Sequence, residues 1–332
     1  MVSSMLERDI DWNTYDQYAM GVVQNYPVCR DLLKSPALRR LHDISFLGGM
    51  DLFSQEFEAV ATRQFSRLAH SVGVAYLASR LMRRAGADEK VAGTVVAAAL
   101  LHDVGHGAFS HSIEPYFIRK FGLNHHRVTK RLVCGDILAG LGVREILHDH
   151  QICPKDVFDT MDGVGLCAEF FKGPINIDTL DGIPRAANGF DIRRPNAKPD
   201  YVAQVFELSK ASEALGDLFW KTKADVYGRY ILQPHWAVYD AALVTVLELA
   251  DAKVSVEDFL LTDGQFRAKF AKELVKTRDR LRRDRRGVEW LADRVIKMRG
   301  MRHFVIDERV KIGAIEDLAL RYRERRERYE PD

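Results

Sequence analysis

Apolar residues recur at helical spacing along most of the chain, and the alternation that marks strands is scarce. In residues 65–84, Leu68, Val72, Ala75, Leu77, Ala78 and Leu81 form a broad stripe suited to packing on a core. Residues 90–102 are apolar almost throughout from Val91 to Leu101, as expected of a helix buried on several faces. Comparable patterns predict helices over 37–47, 125–138, 175–187, 201–215, 235–250 and 265–286. The helix over 175–187 is the least regular, because Gly182 and Pro184 should break or kink it. Residues 188–199, rich in Asn, Gly, Asp and Pro, read as a loop leaving the core. Residues 303–306 are the one short strand candidate. The expected fold class is all-α, a helical core with additional helices and a small mixed element near the C-terminus.

Composition narrows this picture only a little. At 332 residues the chain can bury one large core, and 47% apolar with 29% charged residues is ordinary for a globular protein. The apolar stretch from Val91 to Leu101 is too short to span a bilayer, so no membrane association is expected. Residues 1–11 carry Glu7, Asp9 and Asp11 and have no apolar signal core, so a cytoplasmic location is expected. Four cysteines without CxxC spacing point to unpaired thiols. The formal charge of +2 makes no demand for nucleic acid. Locally, residues 276–286 hold seven basic residues and two acids, which keeps a nucleic-acid partner open beside the plainer reading of a solvated helix face.

Chemistry concentrates in one region. Eight of the eleven histidines fall between His70 and His150. His-Asp occurs three times, at 42–43, 102–103 and 148–149, and only the middle pair ends a buried helix and is followed by two glycines around a further histidine. His70 opens one predicted helix and His102-Asp103 closes the next. A short connection around 85–89 makes those helices antiparallel neighbours and brings the three residues together. A fourth ligand would come from a later helix, with Asp178 the best candidate. Two imidazoles and two carboxylates suit one divalent cation, manganese, iron, magnesium, cobalt or zinc alike, able to polarise a phosphoryl oxygen. Gly105 is expected to end the helix in a left-handed cap, and Gly107 to allow close backbone approach. His106 and His111 follow on an irregular turn where a general acid or phosphate contact would be needed, and Glu114 could orient one of them.

At these residues the chain resembles the HD-superfamily phosphohydrolases, in their deoxynucleoside triphosphate triphosphohydrolase branch. The matching pieces are Leu38-Arg39-Arg40-Leu41-His42-Asp43-Ile44, then Arg67-Leu68-Ala69-His70-Ser71-Val72-Gly73-Val74, then Leu101-His102-Asp103-Val104-Gly105-His106-Gly107-Ala108-Phe109-Ser110-His111, and finally Asp178-Thr179-Leu180-Asp181. The resemblance covers roughly residues 37–272 and is most specific in the third block. It implies His70, His102, Asp103 and Asp178 as metal ligands, and Arg67 as a phosphate contact. It also implies His106, His111 and His125 around the reacting groups, with Glu114 behind them and His125 also touching substrate. It further implies a nucleotide or phosphate-ester substrate and a homo-oligomer.

Five positions depart from the family pattern on the substrate side, one of them Trp236, which follows His235 where a lysine is common. Phe46 stands where a glutamine is usual, Thr179 where a lysine is common, and Gly182 and Ala186 where a tyrosine and an aspartate are expected. The expected organisation is an N-terminal segment 1–36, an HD core 37–190, a helical extension 191–275 and a charged segment 276–332. The expected function is hydrolysis of a phosphate ester or anhydride of a nucleotide, a dNTP among the candidates. An HD-type nuclease or phosphodiesterase acting on single strands and a weakly catalytic nucleotide sensor are the alternatives.

Overall fold

The structure is a computed structural model that describes residues 11–54, 65–135, 142–172, 176–190, 192, 213–231 and 234–283. Its elements are helical, and the nearest thing to a sheet among the described residues is one isolated antiparallel bridge, Ser45 to Ser66. In chain order, α1 (Trp12–Val23), α2 (Pro27–Leu32), α3 (Pro36–Arg40) and α4 (Gly49–Ser54) lead to the long pair α5 (Arg67–Arg84) and α6 (Glu89–Leu101). Shorter helices follow: α7 (Glu114–Phe121), α8 (His125–Cys134), α9 (Arg144–Asp149) and α10 (Pro154–Met161). The remainder are α11 (Ile177–Gly189), α12 (Glu213–Val226), α13 (Pro234–Leu249), α14 (Asp263–Lys269) and α15 (Ala271–Arg283). No described helix is long and apolar enough to cross a membrane. All four cysteines are free thiols.

The centre of the fold is α5 packed on α6. Val95 to Leu101 are all fully buried, so α6 has no solvent face over its last two turns and runs through the core. Both helices start on side-chain caps: Ser66 accepts the Ala69 N–H, and Asp88 accepts the Val91 N–H. The turn at Gly86, with φ +61°, reverses the chain between them. Around this pair, α1 and α11 pack on α5, while α10 packs on α6.

Three expectations are corrected by the structure. The helix expected over 37–47 stops at Arg40, with a 3-10 turn over Leu41–Asp43. The chain then extends so that the Phe46 N–H bonds the Phe65 carbonyl at 2.9 Å and the Arg67 N–H bonds the Ile44 carbonyl at 2.9 Å. This pairing satisfies the backbone entering α5 and delivers Phe46 to the cavity described below. The helix over 175–187 is continuous through Pro184. Leu180, Asp181, Ile183, Pro184 and Arg185 are all buried, and the Asp181–Arg185 ion pair bridges the proline, offsetting the lost backbone bond. Finally, the helix expected over 265–286 is two helices broken at Phe270, a fully buried ring packed 4.8 Å from Phe266. Residues 201–212, 284–286 and 303–306, and most of the 188–199 loop, lie outside the described residues.

Candidate metal centre and phosphate cavity

His70 lies in the first turn of α5, and His102 caps α6 at its C-terminal end. Because the helices run antiparallel, these two ends meet, and the two rings stand edge to face with centroids 5.2 Å apart. Asp178, in the first turn of α11, places Oδ1 3.1 Å from His70 Nε2 and 4.0 Å from His102 Nε2. Asp103 Oδ2 is 3.7 Å from His70 Nε2 and 3.5 Å from His102 Nε2. All four residues expected as ligands therefore converge.

The tautomers are set from behind. His70 Nδ1 bonds Asp181 Oδ2 at 2.8 Å, and His102 Nδ1 donates to the Ala99 carbonyl at 2.8 Å. That leaves both Nε2 atoms facing the carboxylates, His70 Nε2 close to Asp178 Oδ1 and His102 Nε2 buried without a hydrogen-bond partner. A buried imidazole nitrogen left bare beside two carboxylates fits a divalent cation and is costly without one. Burial pulls the His70 imidazole down, but Asp178 and Asp181 outweigh it and set it at about 9, a proton that a cation must displace. Burial pushes Asp178 up, yet the His70 hydrogen bond and charge bring it down to about 2. Asp103 is likewise held well below the ordinary carboxylate range, burial being overcome by His102, His106 and Arg67.

Arg67 opens α5 one turn before His70, and its donors are all directed. Nη1 bonds Asp103 Oδ2 at 2.5 Å, Nε bonds Ser110 Oγ at 2.7 Å and Nη2 bonds the Phe46 carbonyl at 3.2 Å. The guanidinium also lies 4.9 Å over the Phe46 ring. Ser110 reaches Arg67 because Phe109 and Ser110 both adopt φ of +55°. Two consecutive non-glycine residues in this region cost about 1–2 kcal/mol each. Asp263 holds them there by accepting the Phe109 N–H at 2.7 Å. Gly105 does not form the expected left-handed cap: its φ is not positive, and α6 ends at Leu101. Its role is closeness, since a Cβ there would lie 2.3 Å from the His125 carbonyl and 2.4 Å from the Thr129 nitrogen. Gly107 does allow the close approach expected of it, against the Phe259 carbonyl.

A second cluster adjoins the first. Glu114 joins two histidines through one carboxylate, with Oε1 2.5 Å from His125 Nδ1 and Oε2 3.2 Å from His111 Nδ1. Both histidines keep Nε2 available. His106, fully buried, stacks on His125 with centroids 4.1 Å apart and planes 11° from parallel. Stacked imidazoles aim their lone pairs along parallel directions, which suits charge and proton handling better than chelation of one ion. Burial lowers His106 far below its ordinary value, and Arg67 and His125 add to the effect. Burial also lowers His111, with Glu114 opposing it. In His125 the Glu114 hydrogen bond overcomes burial and raises the imidazole.

These groups form the polar wall of a cavity of about 610 Å³. Arg67, His102, Asp103, His111, Glu114, His125 and Asp178 line it, and Phe158, Met161, Phe171, Ile183, Val226 and Ile231 give it an apolar side. Phe46, Thr179, Gly182 and Ala186, four of the five substrate-side departures, all face it. Sequence reasoning overlooked Asp181, Arg185 and Asp16, which extend the His70 hydrogen bond inward. Asp181 stands three residues after Asp178 and four before Arg185, and that spacing on one helix was the available signal.

An HD domain family model matches residues 67–151. The metal-dependent phosphohydrolase cns2 of Cordyceps militaris is 32% identical over 261 residues, covering 72% of this chain and 67% of that protein. The chain belongs to the HD-domain metal-dependent phosphohydrolases. It also matches the human deoxynucleoside triphosphate triphosphohydrolase SAMHD1, at 31% identity over 41% of this chain and 22% of that protein. A crystal structure of a phosphohydrolase from Bacteroides thetaiotaomicron shares the fold, with a TM-score of 0.52 at 20% identity over 68% of this chain and 57% of that one. The chain spans 25–30% of the length of matching proteins from Mycoplasma pneumoniae, Mycoplasma genitalium and Bacillus subtilis.

Proposed function

We propose that this phosphohydrolase cleaves a phosphate ester or anhydride of a nucleotide, with His70, His102, Asp103 and Asp178 holding one divalent cation. The observation that carries this reading is the pair of buried Nε2 atoms facing two carboxylates at the wall of a cavity that also holds Arg67. A cation bound there supplies Lewis-acid polarisation of the phosphoryl group and a lowered pKa for water. Arg67, fixed by Asp103, Ser110 and the Phe46 carbonyl, neutralises charge on the phosphoryl oxygens. His125, raised by Glu114, donates a proton from Nε2 to the leaving oxygen. His111 shares the Glu114 carboxylate and contacts the phosphate beside it, while neutral His106 backs His125. The apolar side of the cavity receives the base and sugar.

A nucleotide substrate is supported by the relationship to SAMHD1. The departures at Phe46, Thr179, Gly182 and Ala186 point to a selection of base, sugar and phosphate number that differs from the family's usual dNTP contacts. Manganese-loaded protein incubated with dNTPs, NTPs, nucleoside monophosphates and a short single strand, followed by chromatography, tests the reading. The expected result is turnover of a mononucleotide that is lost in His102→Ala/Asp103→Ala. Shortening of the single strand alone, or no product with any of manganese, iron, magnesium, cobalt and zinc, would overturn it.

A further inference from the structure

His70 is the only one of the four expected ligands whose second nitrogen is tied to a buried ion pair. Its Nδ1 bonds Asp181 Oδ2 at 2.8 Å, and the same carboxylate accepts Arg185 Nε at 2.8 Å and Arg185 Nη2 at 2.9 Å. Arg185 turns its remaining edge to Asp16 on α1, with Nη1 to Oδ2 at 3.2 Å and Nη2 to Oδ1 at 3.0 Å. Asp181 and Arg185 are both fully buried. The guanidinium lies 4.5 Å from the centre of the Trp12 ring and 5.0 Å from that of Phe65, two rings that meet edge to face beside it. Trp12, fully buried, follows the Asp11 cap that starts α1.

The arrangement is more specific than the packing of α1 on α5 requires. A carboxylate bonded to one imidazole nitrogen fixes the tautomer, pins the ring plane and raises the basicity of the other nitrogen. A lone buried carboxylate could not stay charged for this purpose. Arg185 supplies the countercharge, facing Asp181 with two hydrogen bonds at 2.8 and 2.9 Å. Arg185, in turn, is kept charged by Asp181 and Asp16 against the cost of its own burial. Gly73, one turn along α5 from His70, makes room for the junction: a Cβ there would lie 2.0 Å from Asp181 Oδ1.

We infer that Asp16, Arg185 and Asp181 form a positioning chain for the metal ligand His70, making the N-terminal helix α1 a working part of the metal centre. Asp16 and Trp12 precede the matched HD domain, and Asp181 and Arg185 follow it, so the centre is completed by chain segments on both sides of that domain. The inference rests on the proposed metal site and concerns how tightly that site holds its ion.

The test is the affinity of the full chain for Mn²⁺, measured by competition with a chelator, together with ¹⁵N-histidine spectra of the metal-free protein that report the His70 Nδ1–H hydrogen bond. For Asp181→Asn, the expected result is Mn²⁺ binding weakened roughly 10- to 100-fold, with loss of the His70 Nδ1–H signature. Because that variant leaves Arg185 buried without its main partner, Asp181→Asn/Arg185→Gln, in which the charges leave together, is measured beside it and should show the same loss. Asp16→Asn, at the half-exposed end of the chain, should weaken binding less and in the same direction. Wild-type Mn²⁺ affinity and an unchanged His70 Nδ1–H signal in the folded double variant would overturn the inference, and loss of stability without loss of affinity would reduce the chain to packing. Failure of the wild-type protein to bind Mn²⁺ at all would instead refute the metal site itself.

Discussion

Gly73 sits inside α5, and replacing it with alanine sets two effects of opposite sign against each other. Helix propensity alone favours alanine by about 1 kcal/mol in a helix interior. The new Cβ, however, would lie 2.0 Å from Asp181 Oδ1, 2.6 Å from Asp181 Cγ and 3.0 Å from Arg185 Nη2. To reach ordinary contact, the Asp181 carboxyl must retreat by roughly 1 Å or more, out of its bonds to His70 and Arg185. Breaking a buried ion pair costs about 3–5 kcal/mol. The net expectation for Gly73→Ala is a loss of about 2–4 kcal/mol, a large share of the roughly 5–15 kcal/mol that holds a typical protein together. Urea denaturation gives this directly as a lowered midpoint at unchanged slope, and an Mn²⁺ titration of the folded variant should show weaker binding. A variant more stable by about 1 kcal/mol, binding Mn²⁺ like wild type, would refute the reasoning.

Other substitutions probe the remaining groups. Asp51, buried in α4, is raised to about 7 chiefly by burial, with the Leu47 N–H pulling it down and Asp263 pushing it up. The folded chain therefore keeps a proton that the unfolded chain releases near pH 4, so stability falls as pH rises from about 4 to about 7, by on the order of 4 kcal/mol. Asp51→Asn should flatten that fall, and parallel melting-temperature curves for the two proteins between pH 5 and 8 would contradict it. Glu114→Gln removes the charge that raises His125, so the alkaline limb of the rate profile should move to lower pH; an unmoved limb rules out His125 as the acid. Arg67→Lys keeps the charge but not the three directed bonds, and kcat should fall by about 100-fold or more; steady-state kinetics at saturating substrate would show it.

The convergence of His70, His102, Asp103 and Asp178 was legible because the first three sit at helix ends joined by a short turn. His70 and His102-Asp103 meet through the antiparallel pairing of α5 and α6, a consequence of local spacing alone. Asp178 required only a later helix with a carboxylate in its first turn. The support behind His70 was harder to see, since Asp16 and Arg185 are 169 positions apart and meet only through the packing of α1. That helix carries a helical stripe of Trp12, Tyr15, Ala19, Val22 and Val23 behind an Asp11 cap, but Asn13, Thr14, Tyr18 and Gly21 dilute it. Phe46 lies in a stretch where Leu41, Ile44 and Leu47 keep helical spacing. The backbone instead pairs with Phe65, a tertiary choice that no local propensity encodes. Continuity of α11 through Pro184 has the same origin, because burial on both sides outweighs a missing hydrogen bond.

The central claim is that four residues, His70, His102, Asp103 and Asp178, hold the cation on which hydrolysis depends. Metal content and product release measured on the same preparations test it most directly, comparing wild type, chelator-stripped and reloaded wild type, His102→Ala and Asp178→Asn. The account expects one ion per wild-type chain, nucleotide hydrolysis that disappears on stripping and returns with Mn²⁺, and loss of both ion and hydrolysis in the two variants. Hydrolysis that survives stripping, or a full ion complement in the variants, would contradict it.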